Sequence, residues 1–289
     1  MTEHHGEVVL AGIDDTSESW LAVDWAAAET ERRGAGLRLV HALGTAVEIG
    51  YDETGPGLTE QVFEAATRLL GDAQTRVATA YPELRTDTAL VHDHPAGAIL
   101  DSAKDADADM IVLGTRGRGG FAGLLLGSVS LKVAAHAEQA TVIVRGQLEP
   151  AADAVVVGIR DDRDEPAVRF ALAEAAARRA TVRLIHAWAP VSRAGLMVPQ
   201  LDRVDDYQRH HTDLLDRAAR PAGDYPQVRV ETELVMDSPA AALVEASKQA
   251  GLVVLPRHPI EGRFGLPLGS VAHAVLHHAS CPVAIVPVR

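Results

Sequence analysis

Most short apolar segments of this chain occur twice, in the same order. Val8-Val-Leu-Ala-Gly12-Ile13 returns as Val155-Val-Val-Gly158-Ile159, and Arg38-Leu-Val-His41-Ala42 as Arg183-Leu-Ile-His186-Ala187. Asp109-Met-Ile-Val-Leu113 returns as Gly251-Leu-Val-Val-Leu255, Gly127-Ser128-Val129 as Gly269-Ser270-Val271, and Thr141-Val-Ile-Val144 as Val283-Ala-Ile-Val286. Five ordered matches define a tandem duplication in which only loop lengths changed. The chain of 289 residues therefore reads as two domains of common size, 1–147 and 152–289, joined by a short Gly146–Ala152 linker.

Each copy alternates short apolar runs with amphipathic stretches. Residues 7–13, 37–43, 85–91, 110–114 and 141–145 have the Val, Ile and Leu content of strands buried on both faces. Ser17–Arg33, Thr59–Ala80, Pro95–Asp105 and Val129–His136 carry helical spacing between them. The second copy repeats the strands near 153–159, 181–187, 228–235, 251–255 and 283–288. This alternation predicts an α/β fold: two tandem five-stranded parallel sheets, Rossmann-like, with helices on both faces. Residues 45–57 and 189–199, rich in Gly and Pro, read as loops. Aromatic residues are only 4%, so the cores must be built from aliphatic side chains.

Charge narrows the partners. A formal net charge of −13 opposes nucleic acids and anionic membranes, so any bound anion must be held by local geometry. The single cysteine, Cys281, excludes an internal disulfide and reads as a packing residue. No secretory pattern opens the sequence, and no apolar run reaches the ~18 residues that span a bilayer. The expectation is a cytoplasmic protein.

In open parallel sheets, ligands sit beyond the carboxyl ends of the strands, at the switch in strand order. Asp14, Ala42 and Gly114 end the first, second and fourth strands there. Gly114-x-x-Gly117, followed after nine residues by Gly127-Ser128, offers a turn with positive φ and a close backbone approach for phosphate. Gly127-Ser128 opens the next helix, where free N–H groups, the positive end of the dipole and the Ser128 and Ser130 hydroxyls suit an anion. Arg116 and Arg118 are candidate charge partners, and Asp14 a candidate acceptor for a ribose hydroxyl or an adenine edge. The competing reading of the same residues is a surface loop before a Ser-capped helix.

Gly114-x-x-Gly117-x9-Gly127-Ser128, with Val-Val-Leu-Ala-Gly-Ile-Asp14 before it and Ala-Thr-Val-Ile-Val144 after it, resembles the universal stress protein family, twice over nearly the whole chain. The resemblance implies ATP binding, with adenine and ribose near Ile13, Asp14 and Ala42. It implies phosphates at Gly114, Arg116, Gly117, Gly127, Ser128, Val129 and Ser130, with a divalent cation such as Mg2+ on them. It also implies antiparallel pairing of the last strands, Thr141–Val144 and Val283–Val288, and hence an intrachain pseudo-dimer open to further dimerisation. The implied role is a nucleotide-responsive regulator in stress or dormancy, acting on a protein partner. The alternatives are a slow ATPase, a nucleotidyl-transferring enzyme, or a nucleotide-free assembly module; no catalytic residue stands out.

The second copy departs from the motif. Arg160 stands at the place of Asp14, and Pro256 and Pro259 replace the leading glycines, deleting two amide donors. One site is therefore expected to be intact and the other lost. A minority reading makes Arg160, Arg257, His258 and Arg263 a cationic pocket for another anion. Gly117-x-Gly119-x-x-Ala122 fits a dinucleotide fingerprint but follows the wrong strand. His273 and His277, at i,i+4, lack a third metal ligand, and Ser17 and Ser19 read as helix caps rather than nucleophiles.

Overall fold

A computed structural model of the chain describes residues 7–44, 56–115, 126–146, 154–188, 204–259 and 268–288. Contacts divide the chain into two units, Met1–Arg145 and Gly146–Arg289. The first carries β1 (Val8–Gly12), α1 (Ser17–Arg33), β2 (Gly36–Ala42), α2 (Pro56–Ala80), β3 (Thr86–Val91), α3 (Pro95–Asp105), β4 (Met110–Gly114), α4 (Ser128–His136) and β5 (Ala140–Val144). Its strands are parallel in the order β3-β2-β1-β4-β5, with Gly12 opposite Val40 and Ala11 opposite Val112. Strand order reverses between β1 and β4, which opens a crevice at their carboxyl ends.

Helices cover both faces because both faces are apolar. Leu10, Ala11, Met110, Ile111 and Val112 are fully buried, as strands running through the middle of a covered sheet must be. Helices α1 and α2 pack together on one face, while α3 and α4 pack together on the other. With few aromatic residues to fill space, the layers close through alanine: Ala22 and Ala26 have no exposure at all. Helix α1 starts at a Thr16 cap, whose hydroxyl accepts from the Ser19 amide, and ends at Gly34 in the left-handed conformation.

The second unit repeats this plan with β6 (Ala154–Gly158), α5 (Glu165–Arg178), β7 (Thr181–Ala187), α6 (Val204–Ala218), β8 (Val230–Val235), α7 (Pro239–Ala246), β9 (Leu252–Arg257), α8 (Gly269–His278) and β10 (Val283–Pro287). Its order is β10-β9-β6-β7-β8, again parallel. The repeat extends to ion pairs inside the core. Glu29, fully buried, holds Arg32 and Arg33, and Glu174 at the matching place in α5 holds Arg178.

Three boundaries differ from the sequence reading. Helix α2 begins at Pro56, because proline suits the first helical turn, where its missing N–H has no partner to lose. Strand β9 runs on through Pro256 to Arg257, since β6 stops pairing with β9 at Val254 and only β10 continues beside it. Thr16, not Ser17 or Ser19, caps α1; the Ser19 hydroxyl instead donates to the carbonyls of Asp14 and Thr16. The loop expected at 189–199 and most of that at 45–57 lie outside the described residues, as do residues 147–152 of the linker.

Candidate functional site

The carboxyl ends of β1, β2 and β4 and the start of α4 meet at one edge of the first sheet. They bring Ile13, Asp14, Ala42, Gly114, Gly127, Ser128, Val129 and Ser130 together. Arg116 and Gly117, with Arg118, Gly119 and Ala122, lie outside the described residues.

Hydrogen bonds fix this edge. The Ile13 amide donates to the Val40 carbonyl, and the Ile13 carbonyl faces His41 Nδ1 at 2.7 Å, tying β1 to β2 as the chain leaves both strands. Asp14 Oδ1 accepts from the Thr16 amide at 3.0 Å and from the Thr16 hydroxyl, so the aspartate shapes the turn into α1. Sequence reasoning assigned Asp14 only to a ligand and missed His41. The signal for His41 was its recurrence as His186, which makes the same bond to the Ile159 carbonyl at 2.8 Å.

Gly114 belongs here for a different reason from the one expected. It is a strand residue with no positive φ. A β-carbon on it would lie 2.6 Å from the Glu18 carbonyl oxygen and 3.0 Å from the Ser19 amide nitrogen. The missing side chain lets the first turn of α1 settle against β4. From the other side, Ser130 Oγ donates to the Gly114 carbonyl at 2.7 Å, so that hydroxyl is buried and engaged rather than displayed. Gly127 is likewise engaged: its amide donates to Thr115, and its extended backbone caps α4 without a side-chain bond.

What remains is the first turn of α4. The helix's first internal bond runs from Leu131 to the Gly127 carbonyl. The amides of Ser128, Val129 and Ser130 therefore have no intrahelical acceptor, and no hydrogen bond to them is found among the described residues. Three adjacent donors at the positive end of a helix dipole form an anion cradle.

The second unit keeps the hollow but changes its lining. A cleft of about 720 Å³ is bordered by Gly158, Ile159, Arg160, His186, Pro256 and Gly269, with other apolar residues around it. Pro256 and Pro259 offer no amide donor to this cleft, which remains open beside them. Gly269 takes φ 73°, whereas its counterpart Gly127 takes −75°, so the same Gly-Ser pair enters the helix by two backbone routes.

Two members of the expected cationic pocket, Arg160 and His258, lie beside acids. Arg160 sits 3.7 Å from Asp161, and His258 Nε2 sits 2.8 Å from Asp164 Oδ1. The Arg163 guanidinium holds the Asp161 carboxyl below its ordinary range; burial pushes Asp164 up, opposed by two backbone amides. His186 Nε2 lies 2.8 Å from His211 Nδ1, and His211 stacks on Trp188. The rings of His273 and His277 stand 4.6 Å apart. Arg263 is outside the described residues. No helix among the described residues is long and apolar enough to cross a membrane.

Two parallel five-stranded α/β units, each with a switch in strand order, define a tandem Rossmann-like protein. The model of the Universal stress protein family matches residues 7–145 and again 152–287, and the chain belongs to that family. It is 33% identical to a universal stress protein of Mycobacterium tuberculosis, over 98% of this chain and 97% of the relative. It is 32% identical to one of Mycolicibacterium smegmatis, over 96% of each. Among solved structures, a universal stress protein from Archaeoglobus fulgidus shares the fold with a TM-score of 0.72 at 16% identity, covering 97% of this chain and 96% of that one.

Proposed function

We propose that this chain is an ATP-binding universal stress protein whose first domain holds the nucleotide and whose occupancy is read by a protein partner under stress or dormancy. The observation that carries the reading is the row of amides at Ser128, Val129 and Ser130, without a hydrogen-bond partner among the described residues, at the crevice that Asp14 and Gly114 border. On this reading the amides take phosphate oxygens, while Ile13, Asp14 and Ala42 flank the nucleoside. Arg116 and Gly117, by the motif alone, would complete the phosphate loop. Asp14 Oδ1 accepts from Thr16, which fixes the aspartate at the border of the crevice. Among the described residues, no group of three metal-ligating side chains lies in this domain, so Mg2+ would be held chiefly by the phosphates. The chain's residues would bind and orient; the ion would neutralise charge between phosphate oxygens.

The test is nucleotide content and calorimetry on the full chain. Acid release should give about one adenine nucleotide per chain. Gly117→Asp should abolish ATP binding by clash and charge repulsion while leaving the circular dichroism spectrum unchanged. Normal binding by that variant would sink the proposal. Turnover faster than roughly one per minute, lost on Asp14→Ala, would move the assignment to an ATPase, given that typical enzymes turn over at about 1–10³ s⁻¹. Light scattering on the same sample decides whether the chain dimerises.

A further inference from the structure

The switch point of the second domain contains a group of ligand atoms that the nucleotide reading does not use. Strands β6 and β9 are adjacent and parallel. The turn after β6, Asp162–Asp164, therefore lies beside the residue that follows β9, His258. One oxygen each from Asp161 and Asp164 and one ring nitrogen of His258 all lie within 4.8 Å of one another.

Two details separate this group from an ordinary acidic turn. Asp164 is 1% exposed, and its two oxygens have different surroundings. Oδ2 accepts from the Arg160 and Asp161 amides, which fixes the carboxylate in place. Oδ1 makes no hydrogen bond among the described residues, and neither do Nδ1 and Nε2 of His258, although Nε2 is only 2.8 Å from Oδ1. The His258 side chain is 10% exposed. A buried carboxylate oxygen and a buried imidazole nitrogen thus meet as a close ion pair that falls short of hydrogen-bond geometry, while backbone amides orient the carboxylate from behind. Buried polar atoms are rarely left without partners, and outer-sphere donors that lock a ligand are a mark of metal sites.

We infer that Asp161, Asp164 and His258 form a binding site for a first-row divalent transition ion of the zinc type. Mixed nitrogen and oxygen donors favour such an ion over Mg2+ or Ca2+, which take oxygen. Bonds of about 2.0–2.2 Å bring donors nearer than the widest spacing here, so one ligand must move inward. Asp161 is the more exposed carboxylate, at 33%; its Oδ2 is held by the Arg163 guanidinium, which the ion would displace, while its Oδ1 also accepts from the Arg163 amide and keeps the turn capped. His258 and Arg160 also line the cleft, so an ion at this place would give an anionic occupant of the cleft a fourth, open position. This inference is independent of nucleotide binding in the first domain.

Cobalt titration of the full chain tests it, in a background where His4 and His5 are alanine. The expected result is one Co2+ per chain, with visible ligand-field bands that one equivalent of Zn2+ removes. His258→Ala should weaken Zn2+ binding at least tenfold, read against a chromophoric chelator, and Asp161→Asn should do so without touching a buried group. His273→Ala should leave stoichiometry and affinity unchanged. No cobalt bands in the parent chain, or undiminished affinity in both His258→Ala and Asp161→Asn, would overturn the site. Loss on His273→Ala alone would place the metal on α8 and equally overturn it.

Discussion

Gly114 and Glu18 are in backbone contact: a β-carbon on the glycine would stand 2.6 Å from the Glu18 carbonyl oxygen. A main-chain atom of a packed helix turn cannot rotate away as a flexible side chain can. Gly114→Ala should therefore push α1 off β4 and cost about 1–3 kcal/mol, the range for overpacking. Gly71, inside α2 with nothing within 4 Å of its virtual β-carbon, is the control. Gly71→Ala should be neutral or stabilise by up to about 1 kcal/mol through helix propensity. Urea denaturation of both variants checks the pair.

The two Gly-Ser junctions should respond oppositely to the same change. Gly269→Ala forces a β-carbon into a left-handed backbone and should cost roughly 1–2 kcal/mol. Gly127→Ala, at φ −75°, carries no such penalty and should stay within about 0.5 kcal/mol of the parent. Equal losses in thermal unfolding would show that the two junctions share one conformation.

Buried charge should outweigh exposed charge. Glu29→Ala removes a carboxylate with no exposure and leaves Arg33, 16% exposed, without its main partner; the expected loss is about 3–5 kcal/mol. Asp24→Ala breaks the Asp24–Arg76 pair, in which both side chains are more than a third exposed, and should cost at most about 1 kcal/mol. Chemical denaturation at low and high salt separates the two, because only the second loss shrinks with salt.

Acid should weaken the second domain through His211. Burial first, then the neighbouring His186 and His210, holds its imidazole below the ordinary value of 6.5. The folded domain thus resists a proton that the unfolded chain accepts. The stabilising contribution is complete above the unfolded value and is lost as pH falls below it toward the folded one. His211→Gln should flatten this part of the stability profile between pH 7 and 5, measured by denaturant midpoints at each pH.

Much of this molecule could be read before its structure. The strands, and the helices of the first domain, follow from apolar periodicity, because central strands such as Val8–Gly12 and Met110–Gly114 are buried on both faces and permit little but aliphatic residues. The candidate phosphate edge was legible as a glycine spacing, but its physical content was not. Sequence shows that Gly114 lacks a side chain; only the packed α1 shows that the Glu18 backbone needs the space. The Asp161, Asp164 and His258 group was missed for a related reason. His258 lies far from the aspartates along the chain, and only the adjacency of β6 and β9 joins them. Pro256 and Pro259 were rightly read as lost donors, yet a residue pattern contains no measure of empty space, so the surviving cleft went unseen.

That hollow changes how any saturation experiment on this protein should be interpreted. If the proposed nucleotide reading holds, a triphosphate probe reports on the first domain, and a one-to-one endpoint leaves the second domain's cleft unassayed. Its walls are chiefly hydrocarbon with a few basic and imidazole groups at the border, so its tenant should be sought among molecules with a greasy body and a single acidic head.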